Sequence, residues 1–197
     1  MSWQERCERA ATALLLEQRA VTGLASDPKA LGAGRGILFD SYAGYCARAG
    51  ITKYQLTGGS RLPDGCTLQL GDLCLVLTDD AGAGGARRRR FTQAHELGHI
   101  LLGHAGDGPQ QEREADRFAS ALLMPAPVVF ELWRRTGRRS AAELADWFFV
   151  TISAAETRTG MLLARGSCRW GKDEQELVRR YAPAIAAALA DRHPVTV

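Results

Sequence analysis

Apolar residues recur at helical spacing along much of the chain. Where they return every three or four positions, one face of a helix is apolar, and this pattern predicts helices at residues 2–21, 39–49, 88–104, 110–124 and 128–136. Pro125 ends the fourth segment, because proline lacks a backbone N–H and clashes with the preceding turn. In a last amphipathic stretch, residues 173–191, Pro183 either kinks the helix or lies in the first turn of a new one.

A shorter, alternating pattern in the first half of the chain predicts strands. Residues 66–70 and 73–77 are rich in apolar and β-prone side chains, and they flank Gly71 and Asp72, a pair suited to a two-residue hairpin turn. Residues 52–56 are predicted to form a further strand. We therefore expect a small sheet that contains a hairpin.

Glycine and proline mark two connections between these elements. Residues 23–36 contain Pro28 and four glycines, which predicts a loop. Residues 81–86 consist entirely of glycine and alanine, which predicts a flexible connection before the helix at residue 88.

Two Ser-x-x-Glu motifs follow in the C-terminal part of the chain. Ser140 with Glu143 and Ser153 with Glu156 fit the capping box, in which a serine and a glutamate cap the start of a helix reciprocally. Residues 150–152 would form the turn between the two helices. This arrangement is similar to a helix-turn-helix.

The composition is that of an ordinary globular protein. The chain has 197 residues, of which 46% are apolar and 24% charged, enough for one sizeable domain with a small helical appendage. No stretch approaches the roughly 18 uncharged apolar residues of a membrane helix, and the first nine residues carry Glu5 and Glu8 without a signal-type apolar core behind them. We therefore expect a cytoplasmic protein that is neither secreted nor bound to a membrane.

The cysteines and the net charge exclude several classes of site. The five cysteines are scattered and form no Cys-x-x-Cys pair, so neither a disulfide framework nor a thiolate zinc site is expected. The net charge of +3 is too small to predict a nucleic-acid binder. The densest basic cluster, residues 87–90, is expected to face solvent or an acidic partner.

Residues 95–99, His-Glu-Leu-Gly-His, carry the most specific chemistry in the sequence. On a helix, His95 and His99 lie one turn apart with their Cβ atoms about 5 to 6 Å from each other, so both imidazoles can reach one small cation. Imidazole suits zinc. Glu96 is rotated about 100° around the helix from His95 and flanks the pair, where it can act as general base toward a water on the metal.

A third ligand is expected farther along the chain, because a catalytic zinc takes three protein ligands and leaves one position open. The next predicted helix offers Glu112 and Asp116 at i and i+4 on one face. Glu112 can be the ligand, while Asp116 can accept a hydrogen bond from a ligand imidazole and so fix its tautomer.

Two other residues compete for the role of third ligand. His104 would fit the spacing His-Glu-x-x-His-x-x-Gly-x-x-His only if it were shifted to position 105, where the chain has alanine, so it is predicted to lie behind the ligands or at the surface. Glu114 is predicted to face solvent and to pair with Arg113 or Arg117.

Two separated segments resemble the ImmA/IrrE family of metallopeptidases: residues 90–99, RFTQAHELGH, and residues 112–125, EREADRFASALLMP. The resemblance extends over about residues 68–165. In that family the third ligand is the acidic residue four before the Asn or Asp of the second motif, and this residue corresponds to Glu112. The chain departs from the family in having Asp116 where Asn is frequent, and in the Gly/Ala run before the arginines.

The resemblance implies an α+β fold. It predicts a zincin-like catalytic domain at residues 1–125, with an N-terminal helical part, a small mixed or antiparallel sheet and the His-Glu-x-x-His helix. A mostly helical, helix-turn-helix-like region is predicted at residues 126–197. The implied function is that of a bacterial or phage-type regulator: a metalloendopeptidase with one Zn²⁺ per chain that cleaves a protein partner such as a helix-turn-helix repressor.

The predicted mechanism assigns proton transfer to Glu96. Zinc lowers the pKa of a bound water to about 7, so Glu96 can take its proton near neutral pH and later pass it to the leaving amine. The sequence leaves the donor to the oxyanion open among several groups, which are Tyr42, Tyr45, Tyr54, His104 and the arginines.

The alternative function is that of a DNA-binding or protein-interaction regulator whose metal site is structural or senses zinc. Its candidate DNA contacts are Thr157, Arg158 and Thr159. We favour a different interpretation of these helices, in which they pack on the catalytic domain through Leu144, Trp147 and Phe148.

Overall fold

The computed structural model describes residues 1–60, 62–71, 73–80, 85–166 and 169–190. These residues form ten helices and three strands: α1 Trp3–Leu16, α2 Pro28–Ala33, β1 Ile37–Ser41, α3 Tyr42–Ala49, α4 Lys53–Thr57, β2 Gly65–Leu70, β3 Leu73–Thr78, α5 Gly85–Leu102, α6 Pro109–Leu123, α7 Ala126–Thr136, α8 Ala141–Trp147, α9 Ile152–Arg165 and α10 Lys172–Ala190. The predicted α+β class is confirmed.

The three strands form one mixed sheet in the order β1, β3, β2. The central strand β3 is parallel to β1 and antiparallel to β2, with Thr67 opposite Val76 in the antiparallel pair. The two strands of the predicted hairpin are therefore confirmed. Of its predicted turn, Gly71 has a positive φ of 63°, whereas Asp72 lies outside the described residues.

The two faces of the sheet have different neighbours. On one face, Leu75 and Leu77 of β3 form a buried cluster with Tyr42 of α3. The partly buried side chains that pack around this cluster are Tyr45, Leu56, Leu62, Cys66 and Leu68. Helix α5 contacts β2 and β3, and Thr67, which alternates with Cys66 and Leu68 along β2, bonds to a side chain of α5. The sheet thus separates an apolar layer from the helix that carries the histidine motif.

Three predictions for residues 23–57 were wrong. Asp27 caps a short helix that starts at Pro28, where a loop was predicted. Residues 37–41, partly assigned to a helix, form β1, because they pair with β3, a non-local interaction that the local pattern does not reveal. Residues 53–57 form α4 instead of a strand, because Thr52 and Gln55 make a reciprocal capping box.

The chain divides into two compact units. One is Asp27–Ala119, and the other combines Met1–Ser26 with the described residues from Ser120 onward. Within the second unit, α10 packs on α1 and α7, and α8 packs on α9. The functional division at residue 125 stays a prediction, but the grouping of α1 with the C-terminal helices was not anticipated from the sequence.

The structure shows that the predicted cap at Ser153 is wrong and that Pro183 does not begin a new helix. Helix α9 is capped by Thr151, whose side chain accepts from the backbone of Ala154, so Ser153 lies inside the first turn and is not the cap. Pro183 lies within the continuous helix α10. Ser140 does cap α8, as predicted.

Arg158, one of the candidate DNA contacts, has no exposed surface. Its guanidinium pairs with Glu8 of α1 at 2.6 and 2.9 Å and donates to the carbonyl oxygen of Met124 at 3.0 Å. Leu144 and Phe148 are also fully buried. The guanidinium of Arg158 therefore bonds to groups inside the protein and is not exposed for a DNA contact.

Across the described residues, none of the helices has the length and apolar character needed to cross a membrane.

Candidate metal centre

Helix α5 presents His95 and His99 on one side and its packing residues on another. The two histidines are four positions apart, whereas Ala94, Leu97 and Gly98 are buried. The ring centroids of the two imidazoles are 4.8 Å apart, and their Nε2 atoms are separated by 3.0 Å. The helical spacing read from the sequence thus brings two imidazole nitrogens to one point.

Gly98 lets α6 approach α5 closely at this point. A Cβ atom at position 98 would lie 3.0 Å from Cδ1 of Phe118 and 3.2 Å from Cα of Ala115. Both of these neighbours belong to α6, and Ala115 is itself small and fully buried. Because both helices have a small residue where they touch, the first turn of α6 can reach the histidines of α5.

Glu112 lies in that first turn, where the positive end of the helix dipole favours a carboxylate. Its Oε2 atom is 3.3 Å from Nε2 of His95, and its Oε1 atom is 3.3 Å from Nε2 of His99. Among the described residues, these three form the group of His, Cys, Asp or Glu side chains placed to hold a metal ion, with ligand atoms within 4.8 Å of one another.

The donor set fits a zinc ion by both chemistry and spacing. Zinc–ligand bonds of about 2.0 to 2.1 Å in a tetrahedron place two ligand atoms about 3.3 Å apart, close to the separations of 3.0 and 3.3 Å seen here. Two imidazole nitrogens that both present lone pairs at 3.0 Å repel each other unless a cation or a proton lies between them. Two imidazoles and one carboxylate are a common ligand set for zinc.

Asp116 contacts the side of His95 that faces away from Glu112 and His99. Its Oδ1 atom is 2.8 Å from Nδ1 of His95, and since a carboxylate can only accept, Nδ1 carries the proton and leaves Nε2 free to act as a ligand. Burial of the ring opposes protonation, but the bond and charge of Asp116, together with Glu112 and Glu96, outweigh it and raise the pKa of His95.

Glu96 is held by the sheet, an arrangement that sequence reasoning missed. Oγ1 of Thr67 in β2 donates to Oε2 of Glu96 at 2.8 Å. Gly65, two residues earlier on the same face of β2, allows this approach, because a Cβ there would clash with Thr92 and lie 3.2 Å from Oε1 of Glu96. Burial raises the pKa of Glu96, although the bond from Thr67 and the charge of His95 partly offset it.

His104 and Glu114 form a second layer behind His99. Nδ1 of His104 is 3.2 Å from Nδ1 of His99, and its Nε2 atom is 3.3 Å from Oε2 of Glu114. The role of His104 as a residue behind the ligands stays a prediction. The prediction that Glu114 faces solvent is wrong, since its side chain is only 8% exposed. Gln110 also donates to Glu114 at 2.8 Å.

Comparison with known proteins identifies the segment that contains this cluster. Residues 85–159 match the family model described as the IrrE N-terminal-like domain, Peptidase_M78. Residues 85–159 are therefore similar to the metallopeptidases of the ImmA/IrrE family. The chain is also 40% identical to the radiation response metalloprotease IrrE of Deinococcus radiodurans over an alignment of 84 positions, which covers 34% of this chain and 26% of that protein. The chain thus spans about a quarter of the length of that relative.

The matched segment, residues 85–159, contains the three candidate ligands but not every residue that contacts the site. His95, His99 and Glu112 lie within residues 85–159, whereas Gly65 and Thr67 precede them. No short motif marks these two, and the signal that could have found them is the period of two along β2, which puts both on one face. The position of that face against α5 is a tertiary feature.

The remaining candidates of the sequence analysis lie in different surroundings. Tyr42 belongs to the buried cluster on the apolar face of the sheet, and burial raises its pKa. Tyr54 is 73% exposed. Arg88 is exposed and pairs with Asp64, so part of the basic cluster has an acidic partner in its own chain. The donor to the oxyanion therefore stays open.

Proposed function

We propose that this chain is a zinc-dependent metalloendopeptidase that hydrolyses a peptide bond in a protein partner. The observation that carries the proposal is the convergence of His95, His99 and Glu112 within 4.8 Å, with Glu96 next to them on α5. The match of residues 85–159 to a metallopeptidase family model supports the same reaction class.

In this proposal His95, His99 and Glu112 hold one zinc ion. When bound, zinc polarises a carbonyl group and lowers the pKa of a water molecule. Asp116 orients His95 through its Nδ1 proton. The carboxylate of Glu112 offsets part of the positive charge of the ion.

Glu96 is proposed as the general acid and base. Thr67 holds one of its carboxylate oxygens, which leaves the other to take a proton from the attacking water and to pass it to the leaving amine. Partial burial raises the pKa of Glu96, which makes its carboxylate a stronger base toward the proton of the water. Glu96 therefore acts in both halves of the reaction.

Strand β2 offers a docking edge for an extended substrate. It lies at one edge of the sheet, paired only with β3 among the described strands, and its Thr67 contacts the proposed base. An extended peptide that added to this edge would gain backbone hydrogen bonds and run past Glu96. This arrangement favours an unfolded or flexible segment of a protein as the substrate.

The proposed partner is a helix-turn-helix repressor, and the proposed role is that of a regulatory switch in the cytoplasm. This identity rests on the resemblance to the ImmA/IrrE family. The relative in Deinococcus radiodurans is named a radiation response metalloprotease. Burial of Arg158 argues against the alternative in which α9 binds DNA.

The test is cleavage of helix-turn-helix regulators encoded next to the gene, followed by mass spectrometry. We expect a defined cut with zinc-loaded protein, loss of cleavage with a chelator and recovery after zinc is restored. Glu96→Gln should not cleave, whereas Glu156→Gln, the same chemical change at an exposed position of α9, should cleave normally. Cleavage by Glu96→Gln would contradict the proposed mechanism.

A further inference from the structure

The C-terminus of α5 turns the chain so that His104 returns to His99. Gly103 has a φ of 71°, a left-handed conformation that glycine adopts without strain. The backbone N–H of His104 donates to the carbonyl of His99 at 3.0 Å, and that of Gly103 donates to Ile100 at 3.2 Å. These two bonds define a Schellman motif, which fixes the position of His104 relative to the last turns of α5.

Three side chains form a continuous line from this turn to the metal centre. Glu114 contacts His104 at 3.3 Å, and His104 contacts His99 at 3.2 Å, with the two rings 5.0 Å apart and at 84° to each other. The side chains of His104 and Glu114 are only 6% and 8% exposed. Asp116, which supports His95, is by contrast 60% exposed.

The chemistry of these three groups determines which atom donates in each hydrogen bond. A carboxylate only accepts, so Glu114 favours the tautomer of His104 in which Nε2 carries the proton. Nδ1 of this tautomer has a lone pair and accepts from the Nδ1–H group of His99. With its proton on Nδ1, His99 has a lone pair on Nε2, the atom that faces Glu112 at 3.3 Å.

We propose that His104 and Glu114 are positioning residues that fix the tautomer and the ring orientation of His99 for metal binding. This inference rests on the proposed metal site. It gives each histidine ligand its own support, an exposed carboxylate for His95 and a buried imidazole and carboxylate for His99. The part played by Glu114 is to set the direction of the hydrogen bonds.

The test uses ¹⁵N-labelled protein, both metal-free and loaded with zinc. In the zinc-loaded wild type we expect the proton of His104 on Nε2, and a ¹⁵N–¹⁵N coupling across the bond between the Nδ1 atoms of His99 and His104. Zinc affinity is measured separately by competition with a chelator. Neither readout depends on peptidase activity.

Three variants separate positioning from packing. His104→Phe keeps a ring but removes the acceptor, and should weaken zinc binding by about 10- to 100-fold, the usual effect of losing a partner of a metal ligand. His104→Gln retains an acceptor and should recover part of this loss. Glu114→Gln should give a mixture of His104 tautomers with a smaller loss of affinity. Glu156→Gln serves as the matched control and should bind zinc like the wild type.

The outcomes distinguish this inference from the proposed function. Wild-type zinc affinity in a folded His104→Phe protein, or a proton on Nδ1 of His104 in the wild type, would overturn the inference. If His104→Phe does not fold, the wild-type spectra and Glu114→Gln decide. A protein that shows the coupling and binds zinc but cleaves no partner contradicts only the proposed reaction.

Discussion

At the scale of single residues, Glu96 is subject to opposing influences. Burial disfavours its charge and raises its pKa, whereas the hydrogen bond from Thr67 and the positive charge of a protonated His95 lower it. His95 and His99 are candidate metal ligands, whereas Glu96 is the candidate base. Substituting these residues one at a time can therefore separate metal binding from proton transfer.

Glu96→Gln should retain the fold and the zinc but lose peptidase activity, because glutamine has nearly the same volume as glutamate and accepts no proton at neutral pH. Glu112→Ala and His99→Ala should lose both zinc and activity, since two donors hold zinc weakly. Elemental analysis and cleavage of the partner measure the two properties. Full zinc content in Glu112→Ala would remove Glu112 from the ligand set.

Thr67→Val should keep zinc and shift the pH dependence of cleavage. Removing the donor raises the pKa of Glu96. A base is active as the carboxylate, so activity is present above this pKa and is lost as the pH falls through it. The acidic limb of kcat/KM should therefore move to higher pH. Thr57→Val, which removes a hydroxyl bonded to backbone carbonyls of α4, is the control. An unmoved limb in Thr67→Val would show that Thr67 does not tune Glu96.

At the scale of elements, the contact between α5 and α6 determines whether Glu112 reaches the histidines. Gly98→Ala would place a Cβ 3.0 Å from Phe118, so the helices must separate or the ring must turn. We expect a loss of about 1 to 3 kcal/mol in the free energy of unfolding, together with weaker zinc binding. Thermal unfolding and chelator competition measure these effects.

Gly160→Ala is the matched control for Gly98→Ala. Gly160 lies within α9, and a Cβ there would meet nothing within 4 Å. Alanine should therefore stabilise the helix by about 0.5 to 1 kcal/mol and leave zinc binding unchanged. If Gly98→Ala behaved in the same way as Gly160→Ala, the close approach of the helices would not matter for the site.

Helix α7 carries an ion-pair cluster whose contribution depends on pH. Hydrogen bonds from Arg134, and after them from Arg135, outweigh burial and lower the pKa of Glu131 from 4.5 to about 2. The folded state thus has the lower pKa, so the stabilisation is complete above about 4.5 and is lost as the pH falls toward 2.

Glu131→Gln should accordingly lower the melting temperature at neutral pH. The effect should correspond to less than about 1 kcal/mol, because the arginine partners are exposed to solvent and exposed ion pairs contribute little. The difference from the wild type should shrink as the pH falls from 4.5 to 2. A difference that stays constant over this range would mean that side-chain packing, not charge, is responsible.

At the scale of the whole molecule, residues distant in sequence meet in the pair between Glu8 and Arg158. Glu8→Ala leaves the guanidinium of Arg158 buried without this carboxylate, which should cost about 3 to 5 kcal/mol in the free energy of unfolding. The double variant Glu8→Leu with Arg158→Met should recover much of the loss, because it buries no charge. Denaturant titration measures both, and equal losses in the single and the double variant would contradict this account.

Local patterns were sufficient for the elements that carry the motif. Helices at 88–104, 110–124 and 128–136 were predicted within a few residues of α5, α6 and α7, because their apolar spacing and the flanking prolines are properties of the segments themselves. The approach of His95 to His99 follows from the helix period alone. The roles of these residues as ligands stay predictions, and their convergence with Glu112 is what the structure adds.

Tertiary structure decided the features that depend on which faces meet. β1 forms by pairing with β3, more than 30 positions away, and Glu114 is buried because its side of α6 faces His104. Local spacing distinguishes the sides of a helix or strand but does not state what each side packs against. For this reason the sequence by itself determined the motif helices and the two histidines, whereas only the packing of α6 and β2 on α5 brought Glu114 and Thr67 to the site.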